Sequence, residues 1–241
     1  MNIALIIAGG VGNRMGQDIP KQFLTVNEKP VIIYTLEAFQ NHKEIDSIAV
    51  VCLSGWETVL QSYANQFNIT KLKYIIPGGD CGQASIRNGV YELEKHFSKD
   101  DIVLIHDAIR PMVSSEIISD CIEKTKLFGN AITCIPCAEA MLQTKDGKIS
   151  CGSYPRDNLK RTQTPQGFRI IDICNLHREA LNKGITNSVA SCTLMIELDK
   201  QVYFSKGSEK NIKLTTLEDI DIFKALLSAK RSEWLKSKES E

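Results

Sequence analysis

The sequence predicts an α/β protein with a Rossmann-like, doubly wound and mostly parallel sheet, from which a β-hairpin arm protrudes. Short apolar runs, typical of strands buried on both faces, recur through the first 135 residues. Segments with the apolar spacing of amphipathic helices lie between these runs, and the connections are short. Beyond residue 135 a polar segment interrupts the alternation before helical periodicity returns.

The first predicted strand, residues 2–8, ends abruptly in a glycine-rich loop. Pro30 opens the first predicted helix, and Ser114 is a plausible cap for a later one. The strands predicted after the first are 45–53, 73–76, 101–106 and 131–135. The helices predicted between them are 30–39, 57–67, 85–97 and 114–127. Such strict alternation is typical of a parallel sheet with crossover helices.

The segment that breaks the alternation, residues 141–150, is predicted to be a β-hairpin with Asp146-Gly147 in its turn. It has too little apolar surface for a core of its own, so the arm at 138–161 is expected to lie on another surface, such as a second subunit. Helices at 170–183, 188–197 and 216–234 and a strand at 201–205 are predicted after it. No linker divides the chain, and we predict a single domain over 1–241.

Composition excludes several classes of protein. Of 241 residues, 29 are Lys or Arg and 29 are Asp or Glu, so net charge gives no indication of nucleic acid or a membrane as partner. No apolar run approaches the roughly 20 residues of a membrane span. The N-terminus has no basic region and its apolar run is short for a signal peptide, so a cytoplasmic location is expected.

Eight cysteines are present, and several lie inside apolar segments. Cys134 and Cys137 form one CxxC, without a second pair or a histidine at the spacing of a zinc finger. Reduced and mostly buried thiols are therefore favoured over a metal or redox site.

The glycine-rich loop Gly9-Gly10-Val11-Gly12 is followed by two cations, Arg14 and Lys21, the second just after Pro20. The glycines do not follow the dinucleotide pattern, and no Gly-Lys-Ser/Thr closes a P-loop. Bare loop amides, an arginine fork and a compact lysine charge suit a polyphosphate. The alternative is a plain strand-to-helix turn with two surface cations.

Asp107 follows a predicted buried strand, at the sheet edge where ligands bind in open parallel sheets. Its carboxylate is well placed to hold Mg²⁺, and Arg110 is available to hold an anion or to position Asp107. The alternative is an aspartate helix cap paired with an arginine. His106 is expected to be packed at the strand end rather than to carry protons.

Three further stretches carry polar groups. The loop 77–80 with Ser85 has small residues and a short acceptor, which suit the edge of a nucleobase. Residues 161–169 form a polar stretch between cations, to which no secondary structure is assigned. Lys213 lies between two apolar neighbours in a strand-like run, which favours a directed charge over a solvated one.

Together these stretches resemble a family, the CTP-dependent cytidylyltransferases of two related kinds. One kind makes CDP-methylerythritol from 2-C-methyl-D-erythritol 4-phosphate in isoprenoid synthesis, and the other makes CDP-ribitol from ribitol 5-phosphate for teichoic acids or capsules. The resemblance runs in order from residue 2 to about 227. It is carried by the motifs AGGVGNRMG, PKQFL, GGD with Ser85, HDAIRP, QTPQGFR and NIKLTTLEDI.

For the CTP side, the resemblance implies catalytic contacts of Arg14, Lys21 and Lys213 with the phosphates and a Mg²⁺ ion on Asp107. The residues implied to bind CTP are Ala8, Gly9, Gly10, Gly12, Asp80, Ser85 and Ala108.

For the acceptor side, the resemblance implies that Arg110, Arg156 and Thr186 bind a small polyol or sugar phosphate. It also implies a homodimer in which the arm crosses to the second subunit.

The acceptor side departs from the family pattern at three places. Glu139-Ala140 stands where relatives have Asp-Thr, Thr186-Asn187-Ser188 where they have Thr-Asp, and Lys210 where methylerythritol enzymes often have Asp. These departures favour a pentitol phosphate, best ribitol 5-phosphate, over methylerythritol phosphate, and a tetritol or glycerol phosphate stays open. A nucleotide-binding regulator without catalysis is the alternative from another class.

Overall fold

A computed structural model describes the backbone of residues 1–10 and 19–238, and the side chains of 1–10 and 19–229. The strands are β1 Asn2–Ala8, β2 Thr25–Val26, β3 Lys29–Pro30, β4 Ser47–Cys52, β5 Leu72–Pro77, β6 Ile102–Asp107, β7 Asn130–Pro136, β8 Met141–Gln143, β9 Gly152–Tyr154, β10 Lys160–Arg169 and β11 Phe204–Lys206. The helices are α1 Val31–Gln40, α2 Glu57–Gln66, α3 Gly82–Glu94, α4 Ser115–Phe128, α5 Ile170–Asn182, α6 Ser191–Glu197 and α7 Leu217–Lys238.

A seven-stranded sheet in the order β11-β7-β10-β6-β1-β4-β5 forms the centre. β5, β4, β1 and β6 are mutually parallel, and β11 is parallel to β7. The chain moves from β1 to β4 and β5 on one side and then returns to β6 on the other, so the strand order reverses between β1 and β6. The predicted doubly wound, mostly parallel sheet is confirmed, and this reversal opens a ligand-binding crevice at the carboxyl ends.

The central strands are buried on both faces, as their apolar runs predict. In β1, Ala4 and Ile6 pack toward α1, α2 and α4, while Ile3 and Leu5 pack toward α3 and α5. Alternate residues of one strand therefore hold both helical layers in place. A Cβ at Gly89 of α3 would lie 2.7 Å from Leu5 Cδ2, so this helix packs unusually close to the sheet.

Most of the predicted elements are present, with shifted ends. The Ser114 hydroxyl accepts the Ile117 N–H and caps α4 as predicted. α3 begins at Gly82 rather than at residue 85, because the Cys81 thiol takes the capping role and accepts the Ala84 N–H. α6 and β11 both begin three residues later than predicted, and the short β2–β3 hairpin was not predicted.

The polar stretch 161–169, to which the sequence analysis assigned no secondary structure, forms most of β10, antiparallel to both β6 and β7. Its polar groups find partners inside the fold, since Gln163 Nε2 donates to Ser208 O at 2.8 Å and the Thr133 hydroxyl donates to Pro165 O at 2.6 Å. A register irregularity between Thr162 and Gln166 accommodates the proline. Because this stretch is rich in polar residues, the sequence analysis did not predict it as a strand of the central sheet.

The arm carries a separate two-stranded sheet of β8 and β9, and both of these strands are exposed along their whole length. It comprises residues 137–159 rather than 138–161, because Lys160 already pairs with Pro136 in the main sheet. The connection between the two strands of the arm is also longer than the predicted turn. Asp146 and Gly147 lie within a longer loop, in which Asp146 Oδ1 accepts the N–H groups of Lys148 and Ile149.

All eight cysteines are free, and six of them are buried. Among the described helices, none combines the length and the apolar character that a membrane crossing requires.

Candidate active site

Three loops meet at the carboxyl ends of the parallel strands. Ile7 of β1 is paired with Asp107 of β6, and the Ala108 N–H donates to Ile7 O at 3.0 Å. Across the sheet, a Cβ at Gly9 would lie 3.6 Å from the Cα of Gly78. The loops after β1, β5 and β6 therefore line one crevice at the point where the strand order reverses.

The part of the crevice after β5 is closely packed backbone. A Cβ at Gly79 would lie 2.6 Å from the Cβ of Ala84, so a larger residue there would push the loop away from α3. Ser85 Oγ accepts the Gly79 N–H at 3.0 Å and would be 3.1 Å from a Cβ at Gly9. Three residues predicted to bind CTP, Gly9, Asp80 and Ser85, are thus brought together, with Asp80 directly after Gly79 and exposed.

Gln22 fixes the glycine loop from the other side, a role that the sequence analysis missed. Its buried amide donates to Ala8 O at 2.8 Å and to Gly10 O at 3.0 Å. Lys21 precedes it in the short 3₁₀ turn Lys21–Phe23, so the backbone of this lysine runs beside the loop. The signal in the sequence was a glutamine between a lysine and a buried aromatic residue. Gly12 and Arg14 lie outside the described residues.

Asp107 is the charged centre of the crevice. Arg110 Nε and Lys213 Nζ both lie 3.1 Å from its Oδ2 atom. Burial raises the pKa of the Asp107 carboxyl, but Lys213 and Arg110 outweigh burial and hold that pKa below its usual value. The carboxylate is therefore ionised at neutral pH and keeps two cations at the mouth of the crevice.

The segment around Asn211 carries one of the two cations, Lys213, and holds the other, Arg110, through a hydrogen bond. Asn211 is fully buried and donates from Nδ2 to Thr164 O at 2.9 Å, while its carbonyl accepts Arg110 Nη1 at 2.8 Å. Leu214 N–H donates to Ile109 O at 2.9 Å, which places Lys213 above the loop after β6. Arg110, predicted on the acceptor side, is thus held against the predicted metal ligand.

His106 and Thr164 fix the backbone of this loop. Thr164 Oγ1 accepts the Asp107 N–H at 3.1 Å and lies 3.0 Å from His106 Nδ1. His106 Nε2 is 3.2 Å from Arg110 O, an acceptor, so the Nε2–H tautomer satisfies both contacts. Burial lowers the pKa of His106 to about 4, and the ring is therefore a neutral packing group at pH 7.

The crevice suits a metal ion that is shared with a substrate. Among the described residues, no three His, Cys, Asp or Glu side chains gather as a metal cage. Asp107 offers one carboxylate, and both of its ion pairs fall on Oδ2. Mg²⁺ is commonly held by one or two carboxylates together with substrate phosphates, and this donor set fits that mode.

Of the other predicted residues, Ala8 and Ala108 lie in the crevice wall, and both have carbonyls engaged within the fold. Thr186 lies in the loop between α5 and α6, where its carbonyl accepts the Cys81 thiol at 3.3 Å, so it is close to the start of α3. Arg156 is on the arm, 61% exposed, and donates to Ala138 O at 2.9 Å. Among the described residues, the hydrogen bond and the ion pair of Arg156 go to Ala138 and Asp157, neither of them a predicted site residue.

Comparison with known proteins agrees with this geometry. The family model for 2-C-methyl-D-erythritol 4-phosphate cytidylyltransferase, IspD, matches residues 2–229. A ribitol-5-phosphate cytidylyltransferase from Lacticaseibacillus paracasei is 44% identical, over 95% of this chain and 99% of its own. A 2-C-methyl-D-erythritol 4-phosphate cytidylyltransferase from Clostridium botulinum is 38% identical, over 94% and 97%. The crystal structure of 4-diphosphocytidyl-2C-methyl-D-erythritol synthase from Anaerococcus prevotii has a TM-score of 0.79 at 25% identity, over 94% and 96%.

Proposed function

We propose that this chain, which belongs to the IspD family of cytidylyltransferases, condenses CTP with ribitol 5-phosphate or a similar pentitol phosphate. The products would be a CDP-polyol, destined for surface polysaccharide, and pyrophosphate. The observation that carries the proposal is the pairing of Lys213 and Arg110 with Asp107 beside the loop after β1. Membership of an enzyme family makes the chain a nucleotidyltransferase, and the regulator without catalysis is not favoured.

The reaction proposed is an in-line displacement at the α-phosphorus of CTP. An oxygen of the acceptor phosphate attacks, a new P–O bond forms, and the bond to the leaving pyrophosphate breaks. The second pKa of a phosphate monoester is ~6, so this nucleophile is largely dianionic at neutral pH and needs no general base. Positioning and electrostatic stabilisation are therefore what the protein must supply.

The cations of the crevice supply the electrostatic part. Two phosphates that approach each other repel, and further negative charge develops on the leaving pyrophosphate. Lys213 and Arg110, fixed by Asp107 and Asn211, are preorganised against both effects. Lys21 is proposed to contact the α-phosphate, supported by its place in the turn next to the glycine loop.

We also propose Mg²⁺ as cofactor, on the carboxylate of Asp107. When bound, the ion would neutralise phosphate oxygens and the leaving pyrophosphate. Omission of Mg²⁺ in the presence of a chelator should abolish pyrophosphate release. Undiminished turnover under those conditions would exclude a metal requirement.

The arm supports a further proposal, a homodimer. The side chains Leu142 and Ile149 of the arm are 67% and 70% exposed, although both are large and apolar. A two-stranded sheet of this size is marginal by itself, and a partner subunit would cover it and receive Arg156 in its acceptor site. Multi-angle light scattering at micromolar concentration should give the mass of a dimer, and a monomer would contradict the proposal.

The acceptor is tested with a panel of phosphates and CTP, each assayed for pyrophosphate release. Ribitol 5-phosphate should give the highest kcat/KM, because the relative that is 44% identical is a ribitol-5-phosphate cytidylyltransferase. The second candidate is 2-C-methyl-D-erythritol 4-phosphate, because a relative with that activity is 38% identical. A higher kcat/KM for the second substrate would reverse the assignment, and no release with any acceptor would refute the proposed function.

CTP is a cytoplasmic metabolite, and the reaction is proposed to run in that compartment.

A further inference from the structure

Gln83 lies in the first turn of α3 and joins that turn to the loop between α5 and α6. The residue is 3% exposed. Its Nε2 donates to Ile185 O at 2.7 Å, and its Oε1 accepts the Ser188 N–H at 2.6 Å. Both ends of one side-chain amide are therefore occupied by the loop between α5 and α6, which carries Thr186.

Cys81 reinforces this connection from the capping position of α3. Its thiol donates to Thr186 O at 3.3 Å while accepting the Ala84 N–H of its own helix at 3.4 Å. Three backbone groups of residues 185–188 are thus bound by the first turn of α3 or its cap, and a fourth, the Ile185 N–H, donates to Ala180 O of α5 at 2.9 Å. No residue of that loop belongs to a regular helix or strand, so its path depends on these contacts, most of which come from α3.

The same turn of α3 holds the loop after β5. Ser85 Oγ accepts the Gly79 N–H at 3.0 Å and lies against Gly9. α3 itself is fixed close to the sheet, because Gly89 leaves no room between the helix and Leu5. One rigid turn therefore fixes a CTP loop through Ser85 and the neighbouring loop through Gln83.

We propose that Gln83 is a positioning residue for the acceptor: it holds residues 185–188 at the distance from the CTP loops that the acceptor polyol requires. The inference rests on the proposed function for its kinetic consequence, but the contacts exist without any substrate. A glutamine is suited to this role because one planar amide offers a donor and an acceptor to two backbone groups at once. Leucine has a similar size and offers neither.

The matched control is Gln40, which makes the same kind of bridge elsewhere. Its Oε1 accepts the Lys71 N–H at 2.9 Å, and its Nε2 donates to Thr70 Oγ1 at 2.9 Å. These contacts join α1 to the segment before β5, at the strand ends opposite to the crevice. Gln40→Leu therefore removes two hydrogen bonds of similar length, from a less buried position, without touching either loop of the site.

The kinetic test compares Gln83→Leu, Gln83→Glu and Gln40→Leu with the wild type. Gln83→Leu should raise KM for ribitol 5-phosphate about 10-fold to 100-fold, because it leaves two buried backbone groups unpaired, and should change KM for CTP less than about 2-fold. Gln83→Glu keeps an acceptor for the Ser188 N–H and should restore part of the loss. Equal rises in both KM values, or the same rise in Gln40→Leu, would indicate general destabilisation and overturn the proposal.

Hydrogen exchange measured by mass spectrometry gives a readout that needs no turnover. In Gln83→Leu, the peptide containing residues 183–190 should exchange about 10-fold faster than in the wild type, while peptides of the central strands keep their protection. Unchanged exchange of that peptide in Gln83→Leu, and in Gln83→Glu if the leucine variant does not fold, overturns the proposal. Failure of every acceptor to react would instead refute the proposed function, and the exchange result would still decide the role of Gln83.

Discussion

The two sides of the crevice are built in different ways. The proposed CTP side consists of loop backbone placed directly at the ends of buried parallel strands, and Ala8 and Ala108 there are 2% and 1% exposed. The proposed acceptor side consists of an irregular loop at Thr186 and of Arg156 on an exposed arm. The side proposed for the common chemistry is thus packed against the core, and the side proposed to select the substrate is formed by segments of the kind that tolerates change.

The largest effect is expected on the CTP side. Lys21→Ala should lower kcat at least ~100-fold, as loss of one preorganised charge contact to a reacting group typically does. The loss should be similar for ribitol 5-phosphate and for any poorer acceptor, since this side handles the common reaction. Pyrophosphate release with saturating CTP measures it.

The control for that variant is Lys73→Ala, which removes an exposed lysine on β5, away from the predicted contacts. It should retain wild-type kcat. Near-normal formation of CDP-product by Lys21→Ala would remove Lys21 from the mechanism. A loss confined to one acceptor would show that the two sides are not separate.

On the acceptor side, Arg156→Ala should raise KM for the acceptor about 10-fold to 100-fold, because hydrogen bonds to charged groups contribute about 1.5–3 kcal/mol each. KM for CTP should stay within about 2-fold of the wild type. Lys145→Ala, on the same arm, removes a charge at another position and should leave both values unchanged. An equal effect of Lys145→Ala would attribute the change to the charge of the arm as a whole.

Co-expression of Arg156→Ala with Lys21→Ala tests whether the arm crosses between subunits. In a mixed dimer with crossed arms, one site has an intact Lys21 and receives an intact Arg156 from the other chain. Activity should then exceed the mean of the two single variants. Activity at or below that mean would assign each arm to its own subunit.

Two buried histidines, His106 in β6 and His177 in α5, allow a smaller test. Burial lowers the pKa of both His106 and His177 to about 4, and neither nitrogen of His177 has a hydrogen-bond partner among the described residues. The unfolded chain takes up these protons near pH 6.5, so stability is complete above ~6.5 and falls as pH decreases toward 4. Each histidine contributes about 1.4 kcal/mol per pH unit in that window.

In His177→Leu, the unfolding free energy should therefore depend less steeply on pH between 6.5 and 4 than in the wild type. The slope should fall by about half of the amount that His106 and His177 together contribute to it. At pH 7.5 it should leave KM for CTP unchanged, since His177 lies in α5, before the acceptor loop. Urea unfolding at several pH values provides the measurement. An unaltered slope would mean that His177 is not neutral in the folded state.

The sequence predicted the rigid side far better than the variable one, for physical reasons. Strands such as β1 and β6 are apolar on both faces, and this pattern also predicted the crevice at their ends. β10 escaped prediction because its inward polar groups, such as Gln163, are satisfied by residues 45 positions away, a pairing that no local pattern records. Gln83 escaped for the same reason, since its partners lie 102 and 105 residues further along the chain.

The smallest effect is expected where the chain departs from its relatives, at Ala140 on the exposed arm. Ala140→Thr introduces a hydroxyl that the family resemblance places against the acceptor phosphate. One net hydrogen bond contributes about 1 kcal/mol, so kcat/KM should rise about 5-fold for ribitol 5-phosphate and for 2-C-methyl-D-erythritol 4-phosphate alike, because both carry the phosphate. Ala140→Val adds similar bulk without the hydroxyl and should raise neither value. A gain for one acceptor alone would mean that position 140 selects the polyol, whereas an equal gain leaves that selection to the loop at Thr186.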